Sequence, residues 1–196
     1  MRKMQAERGL LLVLLALGAP LSIAAPDEPS PAEVVTAIEG AFGVTSGERR
    51  NHIKGTCALG EFIGSPDAAA YSRSALFSGK RIPVVARFSL AGGNPKVPDT
   101  AKSARGMALE FRLPGGKLQH MTMLNTPVFG AMQPRTFYDL MIAATPDPVT
   151  GKPEPNKMMA FKASHPDNLA QADLLAQHNS PASYASSSYY GIHTFK

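Results

Sequence analysis

Apolar residues fall in short clusters along this chain, and each cluster has its own period. Residues 10–16 are almost purely apolar, and a looser apolar stretch runs on to Ala24. Further on, Val34, Val35, Ile38 and Phe42 recur at helical spacing. Ser30 precedes them in an S-x-x-E capping box with Glu33, Pro31 suits the first helical position, and Gly43 marks the end. The pattern then changes to period two. Residues 49–63, 82–90, 106–112 and 118–124 read as strands, and Pro114-Gly115-Gly116 turns the last two into a hairpin. Gly55 and Gly60 weaken the first strand or mark close approaches. Helical patterns return at 135–142, 157–163 and 166–178, separated by a loop at 145–156 that carries four prolines. Residues 189–196 look like a strand beginning, with no partner in view for it. Strands first and helices later predict an α+β fold around an antiparallel sheet or barrel.

The first 24 residues read as an address. Arg2, Lys3 and Arg8 precede the short apolar run, Gly18 and Pro20 interrupt it, and Ser22-Ile23-Ala24 and Ile23-Ala24-Ala25 each offer a small-x-small cleavage site. The run is short for a span of about 20 residues. The expectation is a signal peptide over residues 1–24 and a periplasmic or secreted domain over 25–196, with no membrane association after cleavage. Removing residues 1–24 takes three of the 20 basic side chains and one of the 15 acidic ones, so the net charge falls from +5 to +3. With no basic run, that charge argues against a nucleic-acid partner. The single cysteine, Cys57, excludes an intramolecular disulfide and reads as a buried, inert thiol.

Two places could carry chemistry. Period two on residues 82–90 puts Val85, Arg87 and Ser89 on one face and Val84, Ala86, Phe88 and Leu90 on the other. The second face is wholly apolar. The first is either a solvated outer face or a guanidinium lining a cavity for an anion. Arg49, Arg50 and His52 cluster just before, with Arg50 and His52 on one face if the segment is a strand. A histidine works as general acid/base only when something orients it, and Ser89 offers a hydroxyl for that. No phosphate loop, dinucleotide fingerprint or H-E-x-x-H motif occurs, and His120, His165, His178 and His193 lack metal-ligand spacing.

Read together, several segments resemble the haem catalases, and more closely the small exported catalase-related peroxidases. Residues 49–55 (RRNHIKG) are similar to the stretch around the distal histidine, with His52 in that role. Residues 86–89 (ARFS) resemble the strand that follows it. Residues 104–108 (ARGMA), 125–129 (NTPVF) and 191–196 (GIHTFK) match further family segments in order. The resemblance implies an antiparallel eight-stranded barrel with packed helices and haem b. It makes His52 the distal acid/base, Ser89 its hydrogen-bonding partner, and Arg49 and Arg87 the partners of the haem propionates. Phe129 and Phe137 would line the haem face and the substrate channel. Gly106 would let backbone approach the macrocycle, and His193 would lie near its other side.

The implied activity is reduction of hydrogen peroxide or an organic hydroperoxide at the expense of a small organic donor, in oxidative-stress defence. Homo-oligomerisation stays open. Where the family has two successive asparagines this chain has Leu124 and Asn125, so only Asn125 can serve as a distal amide and oxygen release should be weak. Ser103 stands where the family has an acidic residue. The resemblance places the proximal tyrosine and its arginine beyond Lys196, so this is the N-terminal portion of such a domain and inactive by itself. The competing reading is a non-catalytic barrel that binds haem or an apolar ligand.

Overall fold

The structure, a computed structural model, describes residues 28–177 and 180–192. The expected signal peptide, His178 and His193 lie outside the described residues. Helix α1 (Pro31–Phe42) begins as its sequence predicts: the Ser30 hydroxyl accepts from the Glu33 N–H, the Glu33 carboxylate accepts from the Ser30 N–H, and Gly43 closes the helix at φ 75°. Four strands follow, β1 (Gly55–Ile63), β2 (Arg81–Leu90), β3 (Arg105–Arg112) and β4 (Leu118–Leu124). Then come helices α2 (Pro134–Ala144), α3 (Pro155–Ser164) and α4 (Pro166–Gln177), and a short strand β5 (Tyr190–Gly191). No described helix is long and apolar enough to cross a membrane.

The strands form one antiparallel sheet in the order β1-β2-β3-β4-β5. Its core lies on one face, where Leu76, Ile82 and Phe111 are almost fully buried and Phe62, Val84, Leu109 and Met121 pack around them. Phe62 meets Phe111 edge to face at 5.1 Å. The chain between β1 and β2 covers this face by way of a 3-10 turn that carries Leu76. The opposite face is left for the site. Arg87 pairs across the sheet with Cys57 and Ala108, Ser89 with Gly55 and Gly106, and Gly106 in turn with Leu124.

Four expectations are corrected. Residues 49–54 are an irregular loop and β1 starts only at Gly55, because His52 sits at φ 55°, which no strand accommodates. Arg50 and His52 therefore do not share a face: Arg50 leaves for Glu39 on α1 in an ion pair. Cys57 is exposed, because it lies on the face of β1 away from Phe62 and the core, and no described strand pairs with the far edge of β1. The last strand does have a partner, since Met123 and Leu124 pair with Gly191 and Tyr190. The barrel, expected to be incomplete in this chain, is present among the described residues only as an open antiparallel sheet. The sheet has five strands and β1 does not close on β5.

Candidate active site

The site is built where the loop before β1 folds back over β2. Asn51 Oδ1 accepts from two backbone N–H groups, those of His52 at 2.7 Å and Gly92 at 2.8 Å. Arg87, pointing up from β2, donates from one nitrogen to the carbonyls of His52 and Ile53, both at 2.9 Å. Lys54 extends the anchoring, donating to Val97 O and pairing with Asp99. These bonds hold a left-handed backbone at a non-glycine residue, which otherwise persists only where its surroundings over-determine it.

So held, the His52 ring reaches Ser89 on β2, with Nδ1 and Oγ 3.0 Å apart. That bond fixes the ring and leaves Nε2 as the nitrogen that can exchange a proton. Burial, and after it the positive charges of Arg87 and Arg49, push the imidazole down to a pKa of about 4. At neutral pH the ring is uncharged and able to accept a proton. Gly106 on β3 makes room for the pair: a Cβ there would lie 2.8 Å from Ser89 Oγ and 3.0 Å from two atoms of the ring. Its smallness serves the His52–Ser89 contact directly.

These residues border a cavity of about 320 Å³. Arg49, Asn51 and His52 line it from the loop, Arg87 and Ser89 from β2, and Gly106 and Ala108 from β3. Thr122 and Leu124 line it from β4, and Phe129 and Phe137 add a wall of nearly parallel rings 6.4 Å apart. The wall is mostly apolar. It holds two guanidinium groups and no carboxylate. Arg49 makes no ion pair among the described residues, and burial followed by the neighbouring Arg49 charge draws Arg87 below its ordinary value. Such a wall suits an apolar ligand with two acidic groups. No group of three or more acidic, histidine or cysteine side chains suited to a metal ion occurs among the described residues.

Of the residues singled out in the sequence, Arg49, His52, Arg87, Ser89, Gly106, Phe129 and Phe137 come together around this cavity. Asn125 does not. Its Oδ1 accepts from the Arg105 N–H at 2.7 Å and its N–H donates to Arg105 O, so the amide continues the β3–β4 ladder on the far side of Leu124. Two residues escaped the sequence reading. Asn51 was visible only as the neighbour of His52. Arg105 is 2 % exposed and spends its guanidinium on the carbonyls of Asp99, Ala101 and Ser103. In this way it orders the loop from Asp99 to Ser103.

The family model described as Catalase matches residues 45–196. A catalase-related peroxidase of Synechococcus elongatus is 55 % identical over 193 residues, covering 96 % of this chain and 57 % of that protein. One from Mycolicibacterium paratuberculosis is 34 % identical over 168 residues, covering 85 % and 52 %. A catalase of Latilactobacillus sakei is 35 % identical, over 76 % of this chain and 32 % of its own. The chain thus spans about half the length of the curated catalase-related peroxidases it matches. Among solved structures, a fungal catalase superposes with a TM-score of 0.64 at 28 % identity, over 72 % of this chain and 29 % of that one. The match of residues 45–196 to the Catalase family model makes this protein a member of the catalase family, with catalase-related peroxidases among its relatives.

Proposed function

We propose that the full-length protein is a haem-dependent peroxidase that reduces hydrogen peroxide or organic hydroperoxides and favours oxidation of an organic donor over release of oxygen. The observation that carries this reading is His52: a half-buried imidazole, uncharged at neutral pH, that lines a mostly apolar cavity with Nδ1 held by Ser89, so that Nε2 is the nitrogen left free. The two arginines and the absence of a wall carboxylate suit the propionates of haem b, with Arg49 as the freer partner and Arg87 also tied to the loop. When bound, haem would supply the iron on which the peroxide bond is cleaved. The residues of this chain would do the proton work. His52 Nε2 accepts a proton from one peroxide oxygen and returns it to the other, which leaves with the electron pair of the broken O–O bond as water or an alcohol. Phe129 and Phe137 would give the ligand an apolar wall beside that exchange. Leu124 offers no donor to hold a second peroxide for oxidation, so oxygen release is the weaker activity. Export, with residues 1–24 removed, belongs to the same proposal.

The test is His52→Asn in the haem-loaded, full-length protein. Asparagine tolerates φ 55° better than most residues, so the loop should survive. Donor oxidation at fixed hydrogen peroxide is expected to fall by about 10²–10⁴-fold, the usual share of general acid/base catalysis, with haem content unchanged. Retained turnover in this variant would refute His52 as the acid/base. A wild-type protein that binds haem and oxidises no donor would favour the non-catalytic reading.

A further inference from the structure

The amide expected at the catalytic site is missing from β4. Leu124 occupies its position, and Asn125 is committed to Arg105 outside the cavity. A different carboxamide borders the same cavity from the loop: Asn51, the residue before His52. Its orientation is fixed by its own hydrogen bonds. Two backbone donors, His52 N–H and Gly92 N–H, converge on one side-chain atom, and only the amide oxygen can accept both. The nitrogen must then occupy the other arm of the planar group. It makes no hydrogen bond to any described residue. A polar side chain on a mostly apolar wall, with two N–H donors unspent, is equipped to bind an acceptor within the cavity.

We propose that Asn51 is the distal amide of this site and that its Nδ2 donates a hydrogen bond to an oxygen of the peroxide held beside His52. This rests on the peroxidase reading above and deepens it. The amide has moved from the β4 wall to the loop that carries the base. It therefore serves the peroxide whose O–O bond His52 cleaves, and Leu124 leaves the β4 side without an amide. Asn51 has two tasks on two atoms: the oxygen shapes the loop, and the nitrogen faces the ligand.

Two substitutions separate these tasks. Asn51→Asp keeps an oxygen for the two backbone donors and adds a charge. Asn51→Ala adds no charge and loses the oxygen. The donor is the one feature that both lack. In haem-loaded, full-length protein above pH 8, where His52 is uncharged in every variant, the second-order rate with hydrogen peroxide should fall about tenfold in both, roughly the worth of one hydrogen bond. The rate at saturating peroxide, where donor oxidation limits, should stay within about twofold. Cyanide, titrated spectroscopically as a small ligand that accepts a hydrogen bond, should bind about tenfold more weakly to both, and this arm needs no turnover.

A loss in Asn51→Ala alone would reduce Asn51 to a loop anchor, and a loss in Asn51→Asp alone would assign the effect to charge. Either result, or no loss in both, overturns the proposal. Wild-type protein that binds haem but does not react with peroxide would sink the peroxidase reading, while the cyanide arm still decides Asn51. Failure of wild-type protein to take up haem would overturn both.

Discussion

His52 concentrates several demands in one residue, and its titration is how they can be read. An imidazole that protonates at about 4 in the folded chain and near 6.5 when exposed gives the unfolded state the greater proton affinity. Stability is therefore full above about pH 6.5 and declines as pH falls from there to about 4, below which both states are protonated. The depression amounts to about 3 kcal/mol over that window at 1.36 kcal/mol per unit. Urea unfolding at pH 7 and at pH 4 should show that loss in the wild type, and His52→Asn should remove most of the difference; an unchanged difference would place the pH dependence elsewhere. That His52, Ser89, Arg49 and Arg87 gather at one cavity was legible in the sequence, because each is carried by a short motif of contiguous residues. The amide was not. Asn125 sits in its motif but faces Arg105, while Asn51 reaches the cavity only because the loop departs from the strand that period-two reading drew through it. A single left-handed residue reverses which neighbours share a face, and no hydrophobic pattern announces it.

At the scale of elements, β1 shows what pattern reading can and cannot separate. Gly55 and Gly60 both interrupt its apolar sequence and could each be a weakness or a close approach. The structure distinguishes them. A Cβ at Gly55 would lie 2.5 Å from the Phe88 carbonyl oxygen and 2.7 Å from a nitrogen of Arg87, whereas one at Gly60 would meet only Val84 at an ordinary 3.8 Å. Gly55 thus lets β1 approach β2 at the end where Arg87 holds the His52 loop. Gly55→Ala is expected to cost about 1–3 kcal/mol in urea unfolding, the usual penalty of overpacking, because the obstacle is backbone and cannot turn aside. It should also loosen the bonds from Arg87 to the loop. Gly60→Ala, on the same strand, should stay within about 0.5 kcal/mol. Equal costs at the two positions would show that the sheet absorbs the clash. The other elements were placed well by their caps and turn residues: α1 by its capping box, and β3 and β4 by the Pro114-Gly115-Gly116 turn between them. Their ends moved by a residue or two, except where β1 gave way to the His52 loop and where the strand read over residues 189–196 is two residues long among the described ones.

At the scale of the molecule, the sheet is what composition could not foretell. Alternation in a sequence says that a strand has two faces, but it does not say whether anything covers them or whether the last strand meets the first. Here β1 is exposed along almost its whole length: Leu59 is 85 % exposed and Ile63 55 %, and Cys57 stands on the same strand with no cover. A nine-residue strand with an unpaired edge and apolar side chains in water is a template for pairing with another strand. Nothing guards it at its centre, since its one charged residue, Glu61, is tied to Arg81 of β2. The 196-residue chain is therefore expected to self-associate through β1 as its concentration rises. Leu59→Lys places a charge in the middle of that edge, where pairing with a second copy would have to desolvate it, and it leaves the core on Ile82 and Phe111 untouched. Light scattering across a concentration series should show a rising mass for the wild-type chain and a constant one for Leu59→Lys, with the same circular dichroism for both. If both variants associate equally, the contact lies elsewhere on the surface; if neither does, the edge is protected by chain that the described residues do not include.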